Sequence, residues 1–164
     1  MRLKFVVLIF CLLGSLRGQA SETVELSGGK LQSLNGAPTS LKAEIRGKVV
    51  ILDLWASWCG PCQESLPYYE GLKNRFGAQG LQVIAVSVDD TIKAANDFTD
   101  KRKIGLRFLW DAEKDLYKRL NAKAVPTMVV LDNTGKVLFR EQGFLKGSNE
   151  KLEQLIAKLL SEKK

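Results

Sequence analysis

The chain has no histidine in its 164 residues. Every Ser–His and Cys–His catalytic pair is therefore excluded. Cysteine is almost as scarce, with Cys11, Cys59 and Cys62 alone. Structural zinc wants four Cys or His ligands, so neither a metal nor any other cofactor is expected. Haem attachment through C-x-x-C-H fails because Gln63 follows Cys62. Two or three cysteines are also too few for a disulfide scaffold. No apolar run reaches the roughly 20 residues that cross a hydrocarbon core. Repeats, linkers and low-complexity tracts are absent too.

What is present begins with a leader pattern. Met1 to Lys4 is a basic start, Phe5 to Leu13 an apolar stretch, and Gly14 to Ala20 a small and polar run. Gly18 and Ala20 suit the −3 and −1 positions of a cleavage site, so residues 1–20 read as a signal peptide. An uncleaved anchor is the alternative. Cys11 falls inside the apolar stretch and reads as part of it. Residues 21–164 then form one domain. The net charge of +7 falls to +4 once Arg2, Lys4 and Arg17 leave with the leader. The remaining Lys and Arg are interspersed with acids, which describes a solvated surface and gives no support to nucleic-acid binding.

With the leader removed, Cys59 and Cys62 are the cysteines that remain. They lie in Trp58-Cys59-Gly60-Pro61-Cys62, after an apolar strand and at the start of a helical pattern. On a helix, residues three apart share a face at about 5–6 Å between Cβ atoms. A disulfide can close that gap and reopen. The positive end of the helix dipole lowers the pKa of a cysteine placed there, and thiolate is the attacking species. Cys59 is the expected nucleophile and Cys62 the resolving thiol.

The rest of the pattern alternates strands and helices. Residues 23–34 read as two short strands around Gly28-Gly29, and residues 35–47 as loop. Val49 to Trp55 is a near-continuous apolar run, interrupted by Asp53, as suits a strand buried on both faces. A helix from about Cys59 to Phe76 contains Pro67, which should kink it. Then come a strand from Leu81 to Val88, a helix over 91–102 and a short helix near Asp115–Leu120. Pro126 to Leu131 and Lys136 to Gln142 form a hairpin around Asp132-Asn133-Thr134-Gly135. Glu150 to Leu160 is amphipathic, with Leu152, Leu155, Ile156 and Leu159 on its apolar stripe. The order indicates an α/β domain with a mixed sheet covered by helices.

Gly47-Lys48-Val49-Val50, Asp53 through Cys62, Val83 to Asp89, Val125-Pro126-Thr127 and Leu131 to Lys136 together resemble the thioredoxin superfamily. More closely they resemble its extracytoplasmic TlpA/ResA-like thiol-disulfide oxidoreductases. The likeness spans roughly residues 41–160 and implies a thioredoxin-like fold. The long stretch from Asp90 to Lys123 resembles that branch's extra helical insert before the cis-proline strand. Two positions depart from the branch. Ser65 stands where many members carry Glu, with Glu64 one residue earlier. Asp53 resembles thioredoxin itself, yet Ala85 replaces the lysine that partners this acid there.

The resemblance implies roles for the remaining site residues. Asp53 would accept the Cys62 proton during resolution, or else be an acid hydrogen-bonded within the fold. Pro126 would be cis and lie opposite the cysteines, with Val125 or Thr127 backbone groups holding a substrate strand. Trp58, Gly60 and Pro61 would form docking surface beside the dithiol. Trp55 reads as core or as site floor, Phe108 and Trp110 as core, and Glu64 as solvated or as an influence on Cys62. The implied activity is reduction of protein disulfides, because Gly-Pro between the cysteines resembles thioredoxin, whose potential is about −270 mV. Electrons would come from a membrane thiol donor and pass to oxidised extracytoplasmic proteins, apocytochrome c among the candidates. The protein would be periplasmic and a monomer. A disulfide oxidase or isomerase, a thiol peroxidase and a non-catalytic client-binding module are the alternatives.

Overall fold

The computed structural model describes residues 22–144 and 149–162. The expected leader lies outside the described residues. The elements are β1 (Leu31–Ser33), β2 (Pro38–Thr39), α1 (Leu41–Glu44), β3 (Val49–Trp55), α2 (Gly60–Phe76), β4 (Leu81–Ser87), α3 (Ile92–Arg102), β5 (Arg107–Asp111), α4 (Asp115–Arg119), β6 (Thr127–Asp132), β7 (Val137–Gln142) and α5 (Asn149–Ser161). A short 3-10 turn at Gly77–Gln79 joins α2 to β4.

Seven strands form one mixed sheet in the order β2-β1-β5-β4-β3-β6-β7. β3 runs parallel to β4 and antiparallel to β6. All seven of its residues are buried, as an apolar run flanked on both edges and covered on both faces must be. Its side chains alternate between two clusters. Val50, Leu52 and Leu54 join Phe98, Leu109 and Leu116 in one. Val49 and Ile51 join Tyr69, Leu72, Leu152 and Ile156 in the other. Residues on one face of a strand recur every second position, so Asp53 belongs to the face of Val49 and Ile51.

The expected α/β architecture is present; residues 41–44, read as loop, form α1, and three further local readings are corrected. The first hairpin is β1–β2, turning at residues 34–37, where Gly36 N–H donates to the Ser33 carbonyl at 2.8 Å. Gly28-Gly29 is instead a bend beneath Arg119, whose Nη2 donates to the Gly28 carbonyl at 2.8 Å. The segment before it pairs with the sheet backbone at the Thr23–Lys136 bridge and forms no strand of its own among the described residues. The physical reason is pairing: β1 has β5 as a second neighbour, which residues 23–28 lack.

β5 itself is the second correction, a strand between α3 and α4 where helix alone was expected. It pairs with β4 and β1, so its short pattern is rescued by neighbours on both edges. Third, Phe108 is core, whereas Trp110 is only partly buried. α2 remains one helix through Pro67. On α5, Leu152 and Ile156 are buried, with Leu155 and Leu159 partly so.

Candidate active site

β3 delivers the chain into the site. After Trp55 the backbone leaves the sheet, the Cys59 N–H donates to the Ala56 carbonyl at 3.1 Å, and α2 starts at Gly60. Cys59 is the N-cap, with extended backbone. Its Sγ accepts from the Cys62 N–H at 3.2 Å, where a Ser or Asp oxygen would ordinarily cap a helix. Pro61 occupies the first turn, where its missing N–H costs nothing. Cys59 and Cys62 are joined by a disulfide, with Cα atoms 5.3 Å apart. Cys62 is wholly buried and Cys59 is 4% exposed, so Cys59 is the nearer of the two to the surface. A thiolate formed at Cys59 would face the helix N-terminal N–H groups and dipole.

Asp53 is completely buried. Its strand neighbours are Ala85 and Met128, so the position of thioredoxin's lysine is filled by a methyl group. Neither carboxyl oxygen has a hydrogen-bond partner among the described residues, which excludes an acid satisfied within the described fold. Burial holds its pKa well above the ordinary carboxylate value. Burial thus favours the neutral acid over the carboxylate at this position. Tyr69, buried on the same face, is also held above its ordinary value, by desolvation first and by Asp53 second.

Trp58 is 70% exposed and is the exposed large apolar side chain among the described residues. With Val88, Tyr117, Ala124 and Val125 it lines a groove of about 400 Å³. Lys114 and Lys123 complete the lining. The Val125–Pro126 peptide is cis. Val125 is partly buried, and its N–H and C=O have no hydrogen-bond partner among the described residues. Thr127 stands differently from its neighbour. It is buried inside the sheet between Leu54 and Gln142, and its hydroxyl donates to the Ala124 carbonyl at 2.7 Å. The Pro126 carbonyl is taken by the Gly143 N–H at 2.8 Å. Val125, rather than Thr127, is therefore the residue of this loop with backbone groups to offer.

Trp55 resolves as core. It is fully buried, with Phe98 and Phe108 rings 4.9 and 5.4 Å away, and its indole N–H has no partner among the described residues. Glu64 is exposed. Ser65 is buried, and its hydroxyl donates to the Cys62 carbonyl at 3.3 Å.

Two acids that sequence reasoning missed hold the site's loops. Asp89, just past β4, is 1% exposed. Its carboxylate accepts from the Ser57 N–H at 3.0 Å, the Ser57 hydroxyl at 2.8 Å and the Ser87 hydroxyl at 2.7 Å. Its carbonyl accepts from the Trp110 indole at 2.8 Å. The turn before Cys59 is thus tied to β4 and β5. Asp111, the last residue of β5, accepts from the Asp115 and Tyr117 N–H groups, each at 2.9 Å, and so caps α4. Burial raises its pKa against those bonds. A short polar residue at the end of a strand was the available signal for both.

Among the described residues no cluster of three or more acids and cysteines could hold a metal ion, and no helix is long and apolar enough to cross a membrane.

Comparison with known proteins agrees with this geometry. A curated relative, the thiol-disulfide oxidoreductase ResA of Bacillus cereus, is 27% identical over 170 residues, covering 96% of each chain. A crystal structure from Chlorobium tepidum, described as a DsbE-type thiol:disulfide interchange protein, is 31% identical. It superposes with a TM-score of 0.76 over 87% of this chain and all of the other. StoA from Bacillus subtilis, at 21% identity and a TM-score of 0.62 over 76% of this chain and 92% of its own, shares the fold. The Redoxin family profile matches residues 19–156, and the chain belongs to the Redoxin family.

Proposed function

We propose that this chain is an extracytoplasmic thiol-disulfide oxidoreductase that reduces protein disulfides through Cys59 and Cys62. The observation that carries the reading is the disulfide-bonded pair at the start of α2, with Cys59, the less buried of the two, next in the chain to Trp58 of the Trp58–Val125 groove. The likeness to the ResA and DsbE-type proteins supports the reaction class. The leader pattern supports export through residues 1–20, with residues 21–164 as the working domain.

In the reducing direction the Cys59 thiolate attacks one sulfur of a client disulfide. A Cys59–client S–S bond forms and the other client sulfur leaves as thiolate. Cys62, deprotonated with Asp53 as acceptor, attacks the Cys59 sulfur and expels the second client thiolate. The client has gained two electrons and the Cys59–Cys62 disulfide has formed; the two released client thiolates take up protons from solvent, and Asp53 returns the Cys62 proton to solvent. A membrane-bound dithiol donor returns the pair to the reduced state by the same exchange. Val125 backbone groups pair with the extended client, Trp58 with Gly60 and Pro61 provides contact surface, and cis Pro126 shapes the loop. Apocytochrome c cysteines are one client class that the resemblance suggests, and a monomer suffices for every step.

Cys62→Ser should accumulate mixed disulfides with clients, whereas Cys59→Ser should form none; gel shifts that vanish with thiol check this. Equal trapping by both variants removes the assigned order. The potential of the pair then fixes direction. A value near thioredoxin's supports reduction, and one tens of millivolts more oxidising makes the chain an oxidase or isomerase. Peroxide consumption would mark a thiol peroxidase, and failure to reduce insulin disulfides a non-catalytic binding module.

A further inference from the structure

The groove beside the dithiol has a charge character that the reaction itself does not require. Its walls are apolar, from Trp58, Val88, Tyr117 and Val125, and both of its charged lining residues, Lys114 and Lys123, are cationic. Among the described residues no acidic side chain lines it. Lys123 is exposed and has no ion-pair partner among the described residues. Lys114 pairs with Asp90 at 2.7 Å, but Asp90 is 88% exposed, and such exposed pairs exchange partners at little cost. The acids on the adjoining segment are engaged outside the groove, Glu113 by Lys30 and Asp115 by Arg119. The open Val125 backbone groups suit an extended strand laid along the wall.

We propose that this groove selects client segments in which acidic residues flank the cysteine to be reduced. The inference rests on the thiol-disulfide reading of the same site and names its substrate class. Apolar contact with Trp58 and Tyr117 supplies affinity, and the two lysines supply the choice between clients. Charge at a rim acts mainly on encounter and discrimination, so the preference should weaken as salt rises. A protein strand is favoured over an anionic lipid surface because the groove is concave and carries unpaired backbone groups.

The test uses short peptides with one internal disulfide, flanked by Asp, Ser or Lys, and the reduced full-length domain. The expected order of kcat/KM is Asp above Ser above Lys. Lys114→Glu and Lys123→Glu should each shrink the preference by about 2- to 5-fold, the range of exposed charge pairs, and the double variant should reverse it. Lys151→Glu makes the same charge change in the first turn of α5, away from the groove, and should leave the order intact. Equal rates for all peptides, or an equal response to Lys151→Glu, would overturn the proposal. So would Lys123-dependent binding to phosphatidylserine vesicles without any peptide preference. Binding of peptides with Ser in place of Cys, read by tryptophan fluorescence, separates the two claims. Acid-selective binding without turnover would keep the groove's selectivity and sink the reductase reading. Turnover without acid selectivity in rate or binding would do the reverse.

Discussion

Asp53 makes two opposed demands on this chain. Its carboxyl is buried without a partner among the described residues, which costs stability when it is charged, yet only the charged form can accept the Cys62 proton. An acid whose folded pKa lies above its unfolded value of about 3.9 binds more protons folded than unfolded. Its neutral form is fully present below that unfolded value, and stability is lost as pH rises towards the folded pKa. Asp53→Asn removes the titration. The variant should therefore gain on the parent steadily as pH rises above about 4, visible as diverging urea midpoints. The same variant should slow resolution of the mixed disulfide near neutral pH, and an unchanged single-turnover rate would remove Asp53 from the mechanism. The absence of a base at Ala85 sharpens this, since no lysine stands there to hold the charged form.

At the scale of elements, acids placed at the ends of strands hold the site. Asp89 closes β4 and gathers Ser57 and Ser87, so the turn into α2 is fixed by an acid thirty-two residues away. Asp89→Ala strands those buried donors and should destabilise by about 1–3 kcal/mol, measured by denaturant unfolding. It should also loosen the turn before Cys59, seen as faster exchange of the Ser57 amide. Asp111 does the corresponding task for α4, which carries Tyr117 to the groove. Asp111→Ala should cost about 1 kcal/mol, the typical worth of a helix cap. Neither acid belongs to the redox motif. A residue's place in a motif is visible along the chain, but its partners here come from other strands.

Over the whole molecule, β3 is the common wall of both apolar clusters. Leu54 faces one cluster and Ile51 the other, and both are fully buried. Because one strand serves both, the two cores should melt together. Leu54→Ala and Ile51→Ala should each destabilise by about 2–5 kcal/mol while leaving a single unfolding transition. Two resolved transitions in calorimetry would show that the layers fold separately. The sheet order also explains the site's position. The β3–α2 junction, the end of β4 and the start of β6 lie side by side because β4, β3 and β6 are neighbours.

Much of this was readable along the chain. The apolar run of β3, the Cys59–Cys62 spacing, α2, α3, α5 and the β6–β7 hairpin each rest on contacts close in sequence or on strong periodicity. The paired cysteines without any histidine narrowed the chemistry before any fold was considered. The tertiary structure decided the rest. β5 became a strand because β4 and β1 offered it two edges, and the first hairpin moved to Gly36 because β1 had a second neighbour. Whether Asp53 was satisfied, whether Trp55 was core, and whether Val125 or Thr127 faced the groove depended on groups distant in sequence. Local pattern reports what a residue prefers, and burial and hydrogen bonding depend on which partners the fold brings to it.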